Sequence, residues 1–194
     1  DIWAKTKHIC IAKDFVNQKL TGRFVTETSD ASSTNCFDQI KLNWDAEILN
    51  AANIPISYFP EIVSSTTVIG GLTKDAADHV GLNAGTPVVA GGGDGPMAAL
   101  GAGIIEPSDG AYVCMGSSSW VAVSTDKPLH DSKMRSMTWN HIVPNQFSPT
   151  ATMQAGGASL QWIVEDLMPA SEKAKYERKT PTRSANPEQE VDFG

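Results

Sequence analysis

The chain has 194 residues, 41% of them hydrophobic and 19% charged, with a formal net charge of −7. That suits one large soluble domain or two small ones, and the acidic balance disfavours a nucleic-acid surface. Three scattered cysteines (Cys10, Cys36, Cys114) with no metal-ligand spacing argue against a disulfide framework, and no run of about 18 apolar residues suggests a membrane role, so a reducing cytoplasm is the simplest setting. Helical spacing over residues 5–20 puts Ile9, Ala12, Phe15, Val16 and Leu20 on one face, with Gly22 as the stop. Polar residues Thr26–Ser33 predict a loop, and Asp45–Ala52 a helix with Ile48, Leu49 and Ala52 inward and Pro55 beyond its end. A third helix is predicted from Thr73 as N-cap to Gly81 as stop, carrying Ala76, Ala77 and Val80, followed by a strand over 86–90 and a small-residue helix over 96–104.

The texture changes after Pro107, and a boundary is expected near 105–110. Ala111–Met115 and Trp120–Ser124 read as strands joined by Gly116–Ser119, with weaker strand signals at Thr138–Val143 and Ala151–Gln154. Ala158–Leu167 has Leu160, Ile163, Val164 and Leu167 at helical spacing. Residues 169–194 carry many charges and prolines and few large apolar groups, the composition of a polar, partly disordered tail.

Three glycine-rich corners are the candidate sites. In Gly91-Gly-Gly-Asp-Gly95, between strand and helix, Asp94 can cap the helix or take a proton from a substrate; the two roles are compatible. Gly116-Ser-Ser-Ser119 can be a polar hairpin turn, or a loop whose N–H and hydroxyl groups hold phosphate oxygens without a Walker sequence. Ala155-Gly-Gly-Ala-Ser-Leu-Gln161 can be an ordinary helix start or a nucleotide contact, since two glycines admit close approach. His8, His79, His130 and His141 show no metal spacing and read as surface or core, and Trp44, Trp120, Trp139 and Trp162 as core or cleft wall. Lys13-Asp14 and Ser29-Asp30 read as helix-surface and loop charges.

Taken in order, KDFVNQKLTGRFVTETSDAS, VVAGGGDGPMAALGAG, CMGSSSWVAV and AGGASLQW resemble motifs of the FGGY carbohydrate kinases, most closely their xylulokinase branch, over about residues 5–168. The resemblance implies an α/β, RNase H-like fold of the actin/hexokinase/Hsp70 type, here as parts of two domains around a cleft. Residues 1–107 would be the later part of the sugar-binding domain, and 108–168 the start of the nucleotide-binding domain. It implies ATP-dependent transfer of the γ-phosphoryl group to a sugar hydroxyl, D-xylulose first, with ribulose, glycerol or gluconate as other acceptors; a non-catalytic ATP- or sugar-binding module is the alternative. Asp94 aligns with the base, Gly95 with a sugar-contacting position where relatives often carry Asn or Gln, Gly116, Ser117 and Ser118 with the phosphate loop, and Gly157 and Gln161 with nucleotide contacts. ATP and Mg²⁺ are the implied cofactors, the metal's ligands mainly outside these residues, and a homodimer fits the family. The chain starts without Met and lacks the family's opening DxGT loop, so it reads as an internal slice expected to be inactive alone.

Overall fold

A computed structural model describes residues 2–177. They form two compact units: the described residues up to Cys114 with Trp120–Thr152, and Met115–Ser119 with the described residues from Met153 onward.

In the first unit, helix α1 (Ala12–Thr21) is followed by strand β1 (Val25–Glu27), a short helix α2 (Thr28–Ala31) and the hairpin β2 (Phe37–Asp38) and β3 (Asn43–Trp44). Helix α3 (Ala46–Ala51), strands β4 (Glu61–Val63) and β5 (Val68–Gly71), helix α4 (Lys74–Val80), strand β6 (Pro87–Val89) and helix α5 (Asp94–Gly101) come next. β1 pairs parallel with β4, β5 antiparallel with β6. Strands β7 (Ala111–Met115), β8 (Ser119–Val123), β9 (Ser136–Asn140) and β10 (Phe147–Met153) make a four-stranded sheet in the order β7-β8-β10-β9. Among the described residues no helix is long and apolar enough to cross a membrane.

Local chemistry accounts for the helix ends. Gly22 and Gly81 adopt φ of 76° and 74°, the left-handed conformation that lets their N–H groups reach back to Gln18 and Ala77. Thr73 and Asp45 accept first-turn N–H groups of α4 and α3, as their positions in the sequence predict for Thr73 and the Asp45 start. The packing is in two apolar clusters. Val25, Ile69 and Ala90 join β1, β5 and the end of β6; Ala31, Phe37, Trp44 and Leu49 form the other, with Phe37 edge-on to Trp44 at 6.0 Å. The Trp44 indole N–H donates to the Pro60 carbonyl at 2.9 Å, so that ring is buried with its polar edge satisfied.

Several expectations are corrected. Thr26–Ser33 is not a loop: Val25, Thr26 and Glu27 are a fully buried strand, and Ser29 and Ala31 are buried beyond it. Glu27 is buried with donors from Ser29, Asp30 and the distant Ser65, a pairing that polar composition does not show. Helix α1 starts at Ala12, and its buried positions are Asp14 and Asn17, whereas Phe15 and Val16 are each half exposed. A buried polar face is stable only when its groups are paired, and here they are. Ile48 and Ala52, expected inward, are exposed, as is Val80, while Leu49 and Ala77 are buried. The small-residue helix begins two residues earlier than the pattern shows, at Asp94, and the strands at Phe37, Asn43, Glu61 and Val68 have no clear period in the sequence. β10 starts at Phe147, four residues before the predicted strand, and Trp162 is 55% exposed.

The second unit holds α6 (Gly157–Trp162), which runs into a single π-helical turn at Ile163–Leu167 rather than continuing, and α7 (Ala170–Glu177). α7 lies where a polar tail is expected; its first turn is closed by Glu172 and Lys173 N–H groups donating to the Pro169 carbonyl at 2.9 and 3.0 Å. The rest of that tail, 178–194, lies outside the described residues.

Of the four histidines only His141 is a core group, 2% exposed. Its Nδ1 accepts the Val143 N–H at 2.9 Å, so Nε2 carries the proton and donates to the Ile104 carbonyl at 3.0 Å. Burial therefore holds its pKa below the ordinary 6.5. A lowered pKa means the unfolded chain binds the proton more readily, so the contribution is whole above about 6.5 and is lost as pH falls through the folded value. Thermal melts should show stability dropping between neutral and mildly acidic pH, and His141→Gln should flatten that slope; an unchanged slope would show that His141 is not its source.

Candidate active site

Asp94 is an exposed carboxylate at the first position of α5. The N-cap is Gly93, one residue earlier than the capping role considered for Asp94. Asp94 Oδ1 instead accepts the N–H of Gly95 at 2.8 Å. No protein partner is recorded for its other oxygen among the described residues. A side chain at position 95 would meet nothing within 4 Å, so Gly95 lies beside open space.

The preceding glycines are held from below by polar groups. Glu27, at 0% exposure, takes four donors: the Ser29 N–H and Oγ–H and the Asp30 N–H, each at 2.8 Å, and the Ser65 Oγ–H at 2.7 Å. The Ser29 oxygen accepts the Gly93 N–H at 2.9 Å, and the Ser65 carbonyl accepts the Gly91 N–H at 3.1 Å. A Cβ at Gly93 would lie 3.0 Å from Asp30 Oδ1, so a side chain there would push that carboxylate aside.

Lys13 supplies the positive charge. Its Nζ lies 3.0 Å from Asp14, 3.4 Å from Asp30 and 3.9 Å from Glu27, and donates to the Ala90 carbonyl at 3.4 Å. Asn17 Nδ2 donates to the same carbonyl at 2.9 Å. Burial raises the Asp30 carboxyl above the usual range, with Lys13 pulling the other way. The two pairs that read as surface charges, Lys13-Asp14 and Ser29-Asp30, are thus the foundation of the Asp94 corner. The SDAS segment was the one signal in the sequence that pointed here. Removing the cation strands carboxylates that are largely out of water, so Lys13→Met should cost about 3–5 kcal/mol. Urea unfolding measures this, and an unchanged midpoint would mean the cluster is well solvated.

The other two glycine corners come together in the second unit. The Gly157 N–H donates to the Gly116 carbonyl at 2.8 Å, and the Gly156 and Ala158 N–H groups donate to the Ser117 carbonyl at 3.0 and 3.2 Å. The opening N–H groups of α6 are therefore spent on the 116–118 loop. The glycines permit this approach: a Cβ on Gly157 would strike the Gly116 carbonyl oxygen, and one on Gly156 would come within 2.7 Å of Ser119 Cβ. Gln161 is exposed, its Nε2 donating to Glu165 at 2.8 Å. Gly157→Ala must move backbone rather than a flexible side chain, and should cost about 1–3 kcal/mol in chemical denaturation. Wild-type stability in that variant would mean that the two corners are not rigidly joined.

The profile of the FGGY family of carbohydrate kinases, N-terminal domain, matches residues 1–101. A xylulose kinase of Lactococcus lactis subsp. lactis is 35% identical over 165 residues, 85% of this chain and 32% of that protein. An autoinducer-2 kinase of Yersinia enterocolitica is 28% identical over 179 residues, covering 92% of this chain and 33% of that protein. The crystal structure of xylulose kinase from Rhodospirillum rubrum superposes with a TM-score of 0.79 at 29% identity, covering 89% of this chain and 35% of that chain. This chain thus spans about a third of the length of the curated relatives it matches. The α/β fold of the actin/hexokinase/Hsp70 type, expected from the sequence, is borne out.

Proposed function

Since the chain belongs to the FGGY family of carbohydrate kinases, we propose that its protein transfers the γ-phosphoryl group of ATP to a sugar hydroxyl, with Asp94 taking the proton. The observation that carries this reading is the Asp94 carboxylate itself. One oxygen is oriented by the Gly95 N–H, and the other is open to a hydroxyl. In the reaction the sugar oxygen bonds to the γ-phosphorus while the bond from that phosphorus to the bridging oxygen breaks and ADP departs. Bond breaking leads, so the hydroxyl proton becomes acidic late, and the Asp94 carboxylate can accept it.

On this reading Gly116, Ser117 and Ser118 take the phosphate side of ATP, and Gly157 and Gln161 contact the nucleotide. Gln161 Nε2 gives one N–H to Glu165, which leaves its second N–H and its amide oxygen for the nucleotide. Because the Gly157 N–H is already bonded to Gly116, Gly157 contributes close approach rather than a donor. Residues 1–107 belong to the sugar-binding side and 108–168 open the nucleotide-binding domain. The Mg²⁺ implied by the family finds no cluster of three or more His, Cys, Asp or Glu among the described residues, and no step here runs through it.

D-Xylulose is the favoured acceptor, supported by the 35% identity to the Lactococcus xylulose kinase. Phosphorylation of autoinducer-2 is the second reading, supported by a relative covering 92% of the chain. Gly95 brings no side-chain hydrogen bond to either. A coupled assay on the full-length protein with D-xylulose, autoinducer-2, ribulose, glycerol and gluconate separates the acceptors, and ATP binding without turnover on any of them would favour a non-catalytic module. Asp94→Asn in the full-length protein should lower kcat by about 10²–10⁴-fold with ATP binding retained. Near-normal turnover would defeat the base assignment.

A further inference from the structure

We propose that Ser29, oriented by Glu27, is a positioning residue for Asp94; the inference rests on the reading of Asp94 as base. The Ser29 hydroxyl has one proton, and Glu27 takes it at 2.8 Å. That leaves only lone pairs to face the Gly93 N–H at 2.9 Å, so Glu27 makes Ser29 an acceptor in that direction. Glu27 and Ser29 are 0% and 1% exposed, so water does not replace either contact.

Gly93 is then held at both ends: its N–H by Ser29, its carbonyl by the Met97 N–H at 2.9 Å. Asp94 follows directly and is itself tied to the Gly95 N–H. With the backbone held before it and one oxygen tied after it, the directions open to the free Asp94 oxygen are restricted. Glycine at 91–93 provides no side-chain packing of its own to do this, and Gly91 has φ of 78°, so the loop's geometry depends on these external bonds. Lys13 lies against the same carboxylates and keeps the charge compensated, but it makes no bond to 93 or 94 in the structure.

A base displaced by about 1 Å loses on the order of 10²-fold in rate. In the full-length protein with ATP and D-xylulose, or whichever acceptor the screen selects, Ser29→Ala should lower kcat by roughly 10–100-fold with KM for ATP unchanged. The discriminating measurement is the double variant. In the Asp94→Asn background Ser29→Ala should cause no further loss, because Ser29 acts only through Asp94. A merely structural role would cost the same factor in both backgrounds. Ser29→Cys keeps the volume with a weaker acceptor, and covers the case in which the alanine variant does not fold; about a tenfold loss is expected, again absent beside Asp94→Asn. Wild-type kcat in both Ser29 variants, or equal losses in both backgrounds, overturns the proposal while leaving the base reading intact. Full activity of Asp94→Asn alone overturns both.

Discussion

The buried carboxylate of Glu27 is the contact on which the Asp94 corner depends. A carboxylate without water is costly unless its lone pairs are filled, and here four donors fill them. Two of those donors are backbone N–H groups of the turn that opens α2, so the same carboxylate caps that helix. The other two are serine hydroxyls whose residues bind Gly93 and Gly91. One side chain therefore organises segments near residues 27, 65 and 91–93. Lys13 brings α1 to the same point, which is why that helix buries Asp14 and Asn17 and leaves Phe15 half exposed.

Glycine has a different reason at each corner. At 93 it avoids Asp30, a neighbour contributed by the polar foundation. At 156 and 157 it lets one turn lie against the backbone of another, and the N–H groups that a helix start would offer to a ligand go to loop carbonyls instead. At 95 nothing stands within 4 Å, so packing does not explain the absence of a side chain.

Much of the secondary structure was legible because its signals are local. Thr73 and Gly81 bracket α4, Gly22 stops α1, and the alternation at Ala111–Met115 marks β7. The short strands β2 to β5 were not, since two to four residues carry too little period to read. The buried strand Val25–Glu27 was missed for another reason. Glu27 is charged, and its burial draws in Ser65, 38 residues away, beside its local donors.

By itself the sequence determined the family, through four motifs in order, and the placement of Asp94 between a strand and a helix. The first rests on the resemblance of four short motifs, the second on the pattern of neighbouring residues. Only the tertiary structure decided which residue caps α5, which charges are foundation rather than surface, and where the helix-start amides of 156–158 go. The last two are settled by contacts between residues distant in the chain. Whether a polar side chain is buried depends on a partner arriving to replace its water, and sequence spacing does not record that arrival.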